Sequence, residues 1–292
     1  MKINEKCLPC LVNQAIKICE ITKIENREQL YKDLFLYLST LDFSKSNPEV
    51  IGYTFRLLKK YTTNLDPYLE IRNYYNTLFL NKSDYFQSLI NSNSNSFNQA
   101  LLIATIGNII DFNPIHQSTE EEKLKWFDRI NEKVFTINHS DKLIHDIKNS
   151  KSLLYLGDNC GEIFLDKLFI KKIKEVNPQL TIYFGVRGAP VVNDSIEEDA
   201  YYVGMDEVAT IISNGDDSLG TVLSRVSEDF LTLFNQVDMI LSKGQANYES
   251  LSEVTNKNIY FLLVTKCDVI ANDIGVPTQS IICMNNKENP HE

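Results

Sequence analysis

The apolar residues of this chain change their period part-way along, and that change constrains the fold more than any other feature. From the start to about residue 130 they recur at three and four, as in Leu11, Ala15 and Ile18 or Leu34, Tyr37, Leu38 and Leu41, which draws one stripe down a helix. Pro48, Pro67 and Pro114 fall where one helix should stop and the next begin, and the polar stretch Asn91 to Ser96 reads as a loop or N-cap region. From about residue 150 the rhythm becomes short apolar runs separated by helical patterns: SLLYLGD, LTIYFGV, VDMILSKG, NIYFLLV and QSIICM. Such runs are expected as buried parallel strands. Between the first two, GEIFLDKLFIKKIKEVNP carries Ile163, Leu168 and Ile170 to Ile173 on a helical period and ends in basic residues that suit the helix dipole. The expectation is therefore an N-terminal all-helical domain over residues 1–130, followed by an α/β domain over 131–292. The latter should be a three-layer, doubly wound Rossmann-like sheet. The length of 292 residues, against a soft prior of roughly 150 per domain, is compatible with two units.

In a sheet of this kind the chemistry collects in the loops past the carboxyl ends of the strands. The first such loop, Gly157 to Glu162, sets Asp158 and Asn159 beside a helix N-terminus, where a hard divalent cation and an anion could be held together. The same two residues could simply cap the helix. The second loop, Arg187 to Asp194, offers a guanidinium fork for phosphate oxygens and, in Asp194, a further oxygen ligand from the neighbouring strand; a surface arginine and an Asx cap are the plainer reading. The third, Lys243-Gly244, places a lysine where it could offer a point charge to phosphate, although a lone lysine is usually just solvated. Solvated residues have no reason to gather on one edge of a sheet, so the three loops together favour a site.

Four of these runs, YLGDNCGEIFLDKLFI, VRGAPVVNDSIEEDA, DMILSKGQANYESL and LLVTKCDVIANDIGV, in that order, resemble the family of damage-control phosphatases, formerly a domain of unknown function, with members similar to acidic residue methyltransferase-like proteins. Cys7-Leu8-Pro9-Cys10 with Gln14-Ala15, and Gly107 to Asp111, are similar to its microbial branch. The resemblance implies a helical domain on an α/β/α layer that hydrolyses phosphate esters of small metabolites with a divalent ion. It places metal ligands on Asp158, Asn159 and Asp194 and the phosphate-binding lysine on Lys243, with Glu162, Arg187, Asn108 and Asp111 lining the same cleft. Oxygen ligands leave manganese, magnesium, cobalt and nickel open. Cys160 departs from the family pattern, which usually has alanine there.

Composition narrows the partners. A formal net charge of -10 argues against a broad nucleic-acid partner, but leaves room for a small phosphorylated metabolite whose charge a bound cation would offset. No run approaches the roughly 18 to 20 apolar residues that cross a bilayer, and the polar start MKINEKCLPC does not suit a secretory segment, so the expected location is cytoplasmic. The six cysteines are scattered and read as reduced; Cys7 and Cys10 read first as packing residues and second as half of a metal site. None of the four histidines falls at a strand end, and none is assigned a role. Two other functions compete. A carboxyl methyltransferase would want a more glycine-rich first loop, and a non-catalytic phosphometabolite-binding protein would use the same ion and lysine without turnover.

Overall fold

The computed structural model describes residues 1–108 and 125–288; Ile109, Ile110 and Asp111 of the family-like run, and Pro114, lie outside them. The helical half contains α1 (Leu8–Ile21), α2 (Arg27–Ser39), α3 (Asn47–Lys59), α4 (Leu69–Asn81), α5 (Ser83–Asn91) and α6 (Ser96–Gly107). Local signals set their ends. Pro48 occupies the first turn of α3, whose N-cap Ser46 and N3 Glu49 form a capping box, and Asn95 caps α6 by accepting from the Asn98 amide.

The second half alternates as its periodicity predicts. Its strands are β1 (Ile137–Asn138), β2 (Ser152–Leu156), β3 (Thr181–Val186), β4 (Thr210–Ser213), β5 (Met239–Lys243), β6 (Ile259–Val264) and β7 (Ile281–Asn285). Between them run α7 (Ser140–Asn149), α8 (Glu162–Val176), α9 (Glu197–Tyr202), α10 (Glu228–Gln236), α11 (Gly244–Leu251) and α12 (Asp268–Ile274). The seven strands form one sheet in the order β1-β7-β6-β5-β2-β3-β4. All five predicted runs are strands, but QSIICM (β7) pairs antiparallel with β6 and parallel with β1, not parallel throughout as expected. The short connection through α12 returns the chain into β7 from the carboxyl end of β6, and a run buried on both faces carries no mark of direction.

Successive side chains of each strand serve opposite faces. Leu153, Tyr155, Met239, Leu241, Leu262 and Cys283 pack under α8 together with residues of α4, α5, α6 and α7, whereas Leu154, Leu156, Ile240, Phe261 and Leu263 pack against α10, α11 and α12. The result is a three-layer α/β/α sandwich in which α6 lies directly on the sheet side of the first core. A separate apolar cluster joins α1, α2 and α3 to Val191 of the loop after β3. Helices α1 to α3 therefore overhang the carboxyl edge of the sheet, where the loops open.

Candidate active site

The chain winds outward from β2 to β3 and β4 on one side, and from β5 to β6 and β7 on the other, so β2 and β5 flank the point where the strand order reverses. A crevice opens at such a point. Here a cleft of about 190 Å³ is lined by Asp158, Asn159, Asn193 and Asp194 from the loops after β2 and β3. Gln245, Ala246 and Glu249 of α11 and Lys266 beyond β6 complete its floor, and Cys10, Gln14 and Ile51 of the helical half form the roof.

Backbone stitching brings the first two loops together. The Cys160 amide donates to Asn193 O at 2.9 Å and the Ser195 amide to Asp158 O at 2.8 Å, an isolated bridge that sets Asn159 against Asp194. Arg187 spans the two carboxylates. Its Nε donates to Asp194 Oδ2 at 2.7 Å and its Nη2 lies 3.7 Å from Asp158 Oδ1, with no hydrogen-bond partner for that Nη2 among the described residues. Asn159 Nδ2 donates to Asp158 Oδ2 at 2.8 Å and to Glu162 Oε2 at 3.1 Å, while its Oδ1 accepts from Asn193 Nδ2 at 2.6 Å. Val192, two residues before Asp194, holds φ at +46°, a left-handed conformation that a β-branched residue adopts only under constraint. The loop is held in place at the expense of local strain.

This corner carries more negative charge than its surroundings solvate. Burial raises the Asp158 carboxyl well above the usual range, with Asp194 and Glu162 adding to the rise and Arg187 and Lys266 opposing it. Burial likewise raises Asp194, against the pull of Arg187. A divalent cation between the two would remove that penalty, and two carboxylates with an amide oxygen are the hard donors such an ion takes. Space is provided as well. Gly244 has φ of +79°, and a Cβ built on it would stand 1.9 Å from Asp158 Oδ2, so only a residue without a side chain leaves that carboxylate open. The residues present thus fit an ion. Among the described residues no group of three or more His, Cys, Asp or Glu is arranged to hold a metal, and the donor set here counts two carboxylates and an amide.

The other expected site residues lie behind this corner. Asn108 is fully buried; its Nδ2 donates to Asp158 Oδ2 at 2.8 Å and its Oδ1 accepts from the Val264 amide, so it positions Asp158. Lys243 departs most from the expectation. It is 0% exposed, and its ammonium donates to Ala104 O at 2.8 Å, Glu162 Oε1 at 2.7 Å and Asp166 Oδ1 at 2.6 Å. All three protons are used. A strand-end lysine can point along the sheet into the core as easily as into the cleft, and two buried carboxylates on α8 draw this one inward. Burial disfavours its charge, but Asp166 and Glu162 outweigh burial and hold its pKa above the ordinary value. Burial pushes Asp166 up to about 6 even with this lysine pulling it down. Lys266 lines the cleft in its place, and the rule that led to Lys243, a cation just past a strand's carboxyl end, would have found it after β6. Glu249 and Cys10 also line the cleft without having been singled out for it; Cys7 is buried in the apolar cluster of Ile3, Leu11 and Val50, as a packing residue should be. Asp111 lies outside the described residues.

Comparison with known proteins gives a consistent picture. The family model described as the damage-control phosphatase ARMT1-like domain matches residues 3–282. A damage-control phosphatase of Pyrococcus horikoshii is 31% identical over 98% of this chain and 99% of its own length. One of Archaeoglobus fulgidus is 32% identical over 94% of this chain and 96% of its own. The crystal structure of a DUF89 family protein from Pyrococcus horikoshii superposes with a TM-score of 0.87 at 28% identity, covering 98% of this chain and 99% of that one.

Proposed function

We propose, from the premise that this chain belongs to the damage-control phosphatase ARMT1-like domain family, that it hydrolyses phosphate monoesters of small metabolites with the help of a divalent metal ion. The phosphatase role follows the family and its named relatives. Support for the metal and the substrate class comes from one observation: Asp158, Asn159 and Asp194 converge on a cleft at the strand-order reversal whose charge balance calls for a cation. When bound, the ion supplies Lewis acidity to the phosphoryl oxygens and lowers the pKa of water toward neutrality. Manganese, nickel, cobalt and magnesium all suit the donors.

The remaining work falls to the chain. Asp158, Asn159 and Asp194 hold the ion, and Arg187 and Asn108 fix the two carboxylates in register. Lys266 meets the phosphate, joined by the N-terminal turn of α11, where Gln245 and Ala246 line the cleft. Lys243 holds Glu162 and Asp166 below the site and keeps the N-terminal turn of α8 in place. The helical roof carrying Gln14 and Ile51 limits the cleft to small substrates. No helix among the described residues is long and apolar enough to cross a membrane.

The test is release of phosphate from p-nitrophenyl phosphate and from a panel of sugar phosphates, with each of the four ions and with a chelator. Turnover that needs an ion and is lost in Asp194→Asn supports the reading. Tight binding of a phosphorylated metabolite with no turnover under any ion would make the chain a binding protein instead.

A further inference from the structure

Resting on the phosphatase reading, we propose that Glu249 is the general acid of the reaction, giving its proton to the ester oxygen as that oxygen leaves phosphorus. Gln245, Ala246 and Glu249 lie on one face of α11 at helical spacing, and all three line the cleft that holds Asp158 and Asp194. A Cβ on Gly244 would meet the Asp158 carboxylate, so the start of α11 abuts it. Glu249 stands five residues further on, which is about 7.5 Å along the helix axis. In this assignment the leaving group of a phosphate seated at Asp158 and Asp194 lies toward Glu249, which lines the same cleft.

The surroundings of Glu249 suit a carboxyl that carries a proton. It is 7% exposed, and among the described residues its two oxygens share a single hydrogen-bond donor, Asn47 Nδ2 of α3, at 3.1 and 3.4 Å. Asp194 is paired with Arg187, and Glu162 and Asp166 with Lys243, but Glu249 makes no ion pair among the described residues. The groups that face it are Asn47 of α3, the N-terminal ammonium, which donates to the Glu249 carbonyl, Cys7 ahead of α1 and Asp273 of α12. Burial lifts its pKa to about 7, against Asn47 and the N-terminal ammonium and with a smaller push from Asp273, so the acid form is available near neutrality.

The step balances without a further reactant. Water adds to phosphorus, the bond from phosphorus to the ester oxygen breaks, and its electron pair stays on that oxygen, which takes the Glu249 proton and departs as an alcohol. The proton released by the attacking water passes to solvent, and Glu249 regains one from solvent.

Leaving-group dependence tests this in the ion-loaded protein. Nitrophenolate departs without a proton, whereas an alkoxide does not. Glu249→Gln keeps an acceptor for Asn47, and it should lower kcat on glycerol phosphate by about 100-fold or more while leaving kcat on p-nitrophenyl phosphate within about threefold. The wild-type alkyl profile should also fall as pH rises through about 7, and the variant's should not. Glu249→Asp, which keeps the acid one methylene further away, should recover part of the alkyl activity, and it serves if the glutamine variant folds poorly. An equal drop on both substrates, or no drop on either, would overturn the assignment. A wild-type protein that turns over neither substrate with any ion would overturn the phosphatase reading itself.

Discussion

Replacing Lys243 with methionine separates a lysine that builds the fold from one that binds substrate. The wild-type ammonium is 0% exposed, and its three hydrogen bonds of 2.6 to 2.8 Å satisfy two carboxylates that are themselves 0% exposed. Methionine fills a similar volume but leaves Glu162 and Asp166 as buried carboxyls facing each other with no cation. Breaking a buried ion pair from one side costs about 3 to 5 kcal/mol. Asp166, already lifted to about 6 with the lysine present, should then take up a proton, so the loss belongs at the lower end of that range near pH 6 and grows toward pH 8. For a chain of this size such a loss lowers Tm by on the order of 10 °C. Thermal unfolding followed by circular dichroism at pH 6 and pH 8 measures it, with KM for the best phosphorylated substrate determined well below the melting range. A variant with unchanged Tm and a sharply raised KM would show that the lysine turns into the cleft and meets phosphate, and the account of its buried network would be wrong.

The other expectations concern the cleft. Lys266→Ala should raise KM for phosphorylated substrates by about 10-fold or more with little change in Tm, because it removes a charge from the cleft and not from the core; steady-state kinetics beside a melting curve check both. Gly244→Ala should abolish metal retention and turnover, since the new Cβ would stand 1.9 Å from Asp158 Oδ2 and its backbone sits at φ of +79°; ion binding by calorimetry that matched the wild type would refute this. The Glu249 carboxyl, lifted by burial to about 7 from an ordinary 4.5, stabilises the fold fully below pH 4.5 and loses that contribution as pH rises through 7. Glu249→Gln should therefore gain on the wild type between pH 5 and pH 8, by up to about 3 kcal/mol in urea unfolding, and parallel stability curves would contradict it.

Much of the architecture was legible because it follows from local chemistry. The period of the apolar residues separated helices from strands, Pro48 and Asn95 marked helix starts, and the five short apolar runs of the second half became strands of one sheet. The shortest elements escaped notice. β1 has two residues, and β4 has four that are mostly half-exposed, so neither makes an apolar run that stands out from loop. The direction of β7 was hidden because a strand buried on both faces reads alike in either sense.

Residue type and strand-end position were enough to put Asp158, Asn159 and Asp194 on one edge of the sheet, because crossover units must deliver such loops there, while their part as metal ligands rests on the resemblance to the family. Only the tertiary structure decided which cations face the cleft. Lys243 and Lys266 stand at the ends of neighbouring strands, and strand-end position gives no preference between them, but α8 sets Glu162 and Asp166 beneath the first and draws it into the core, while the second lines the cleft. Burial, and with it the side a charged side chain turns to, depends on what other elements bring to it, and that is known only once the layers are packed.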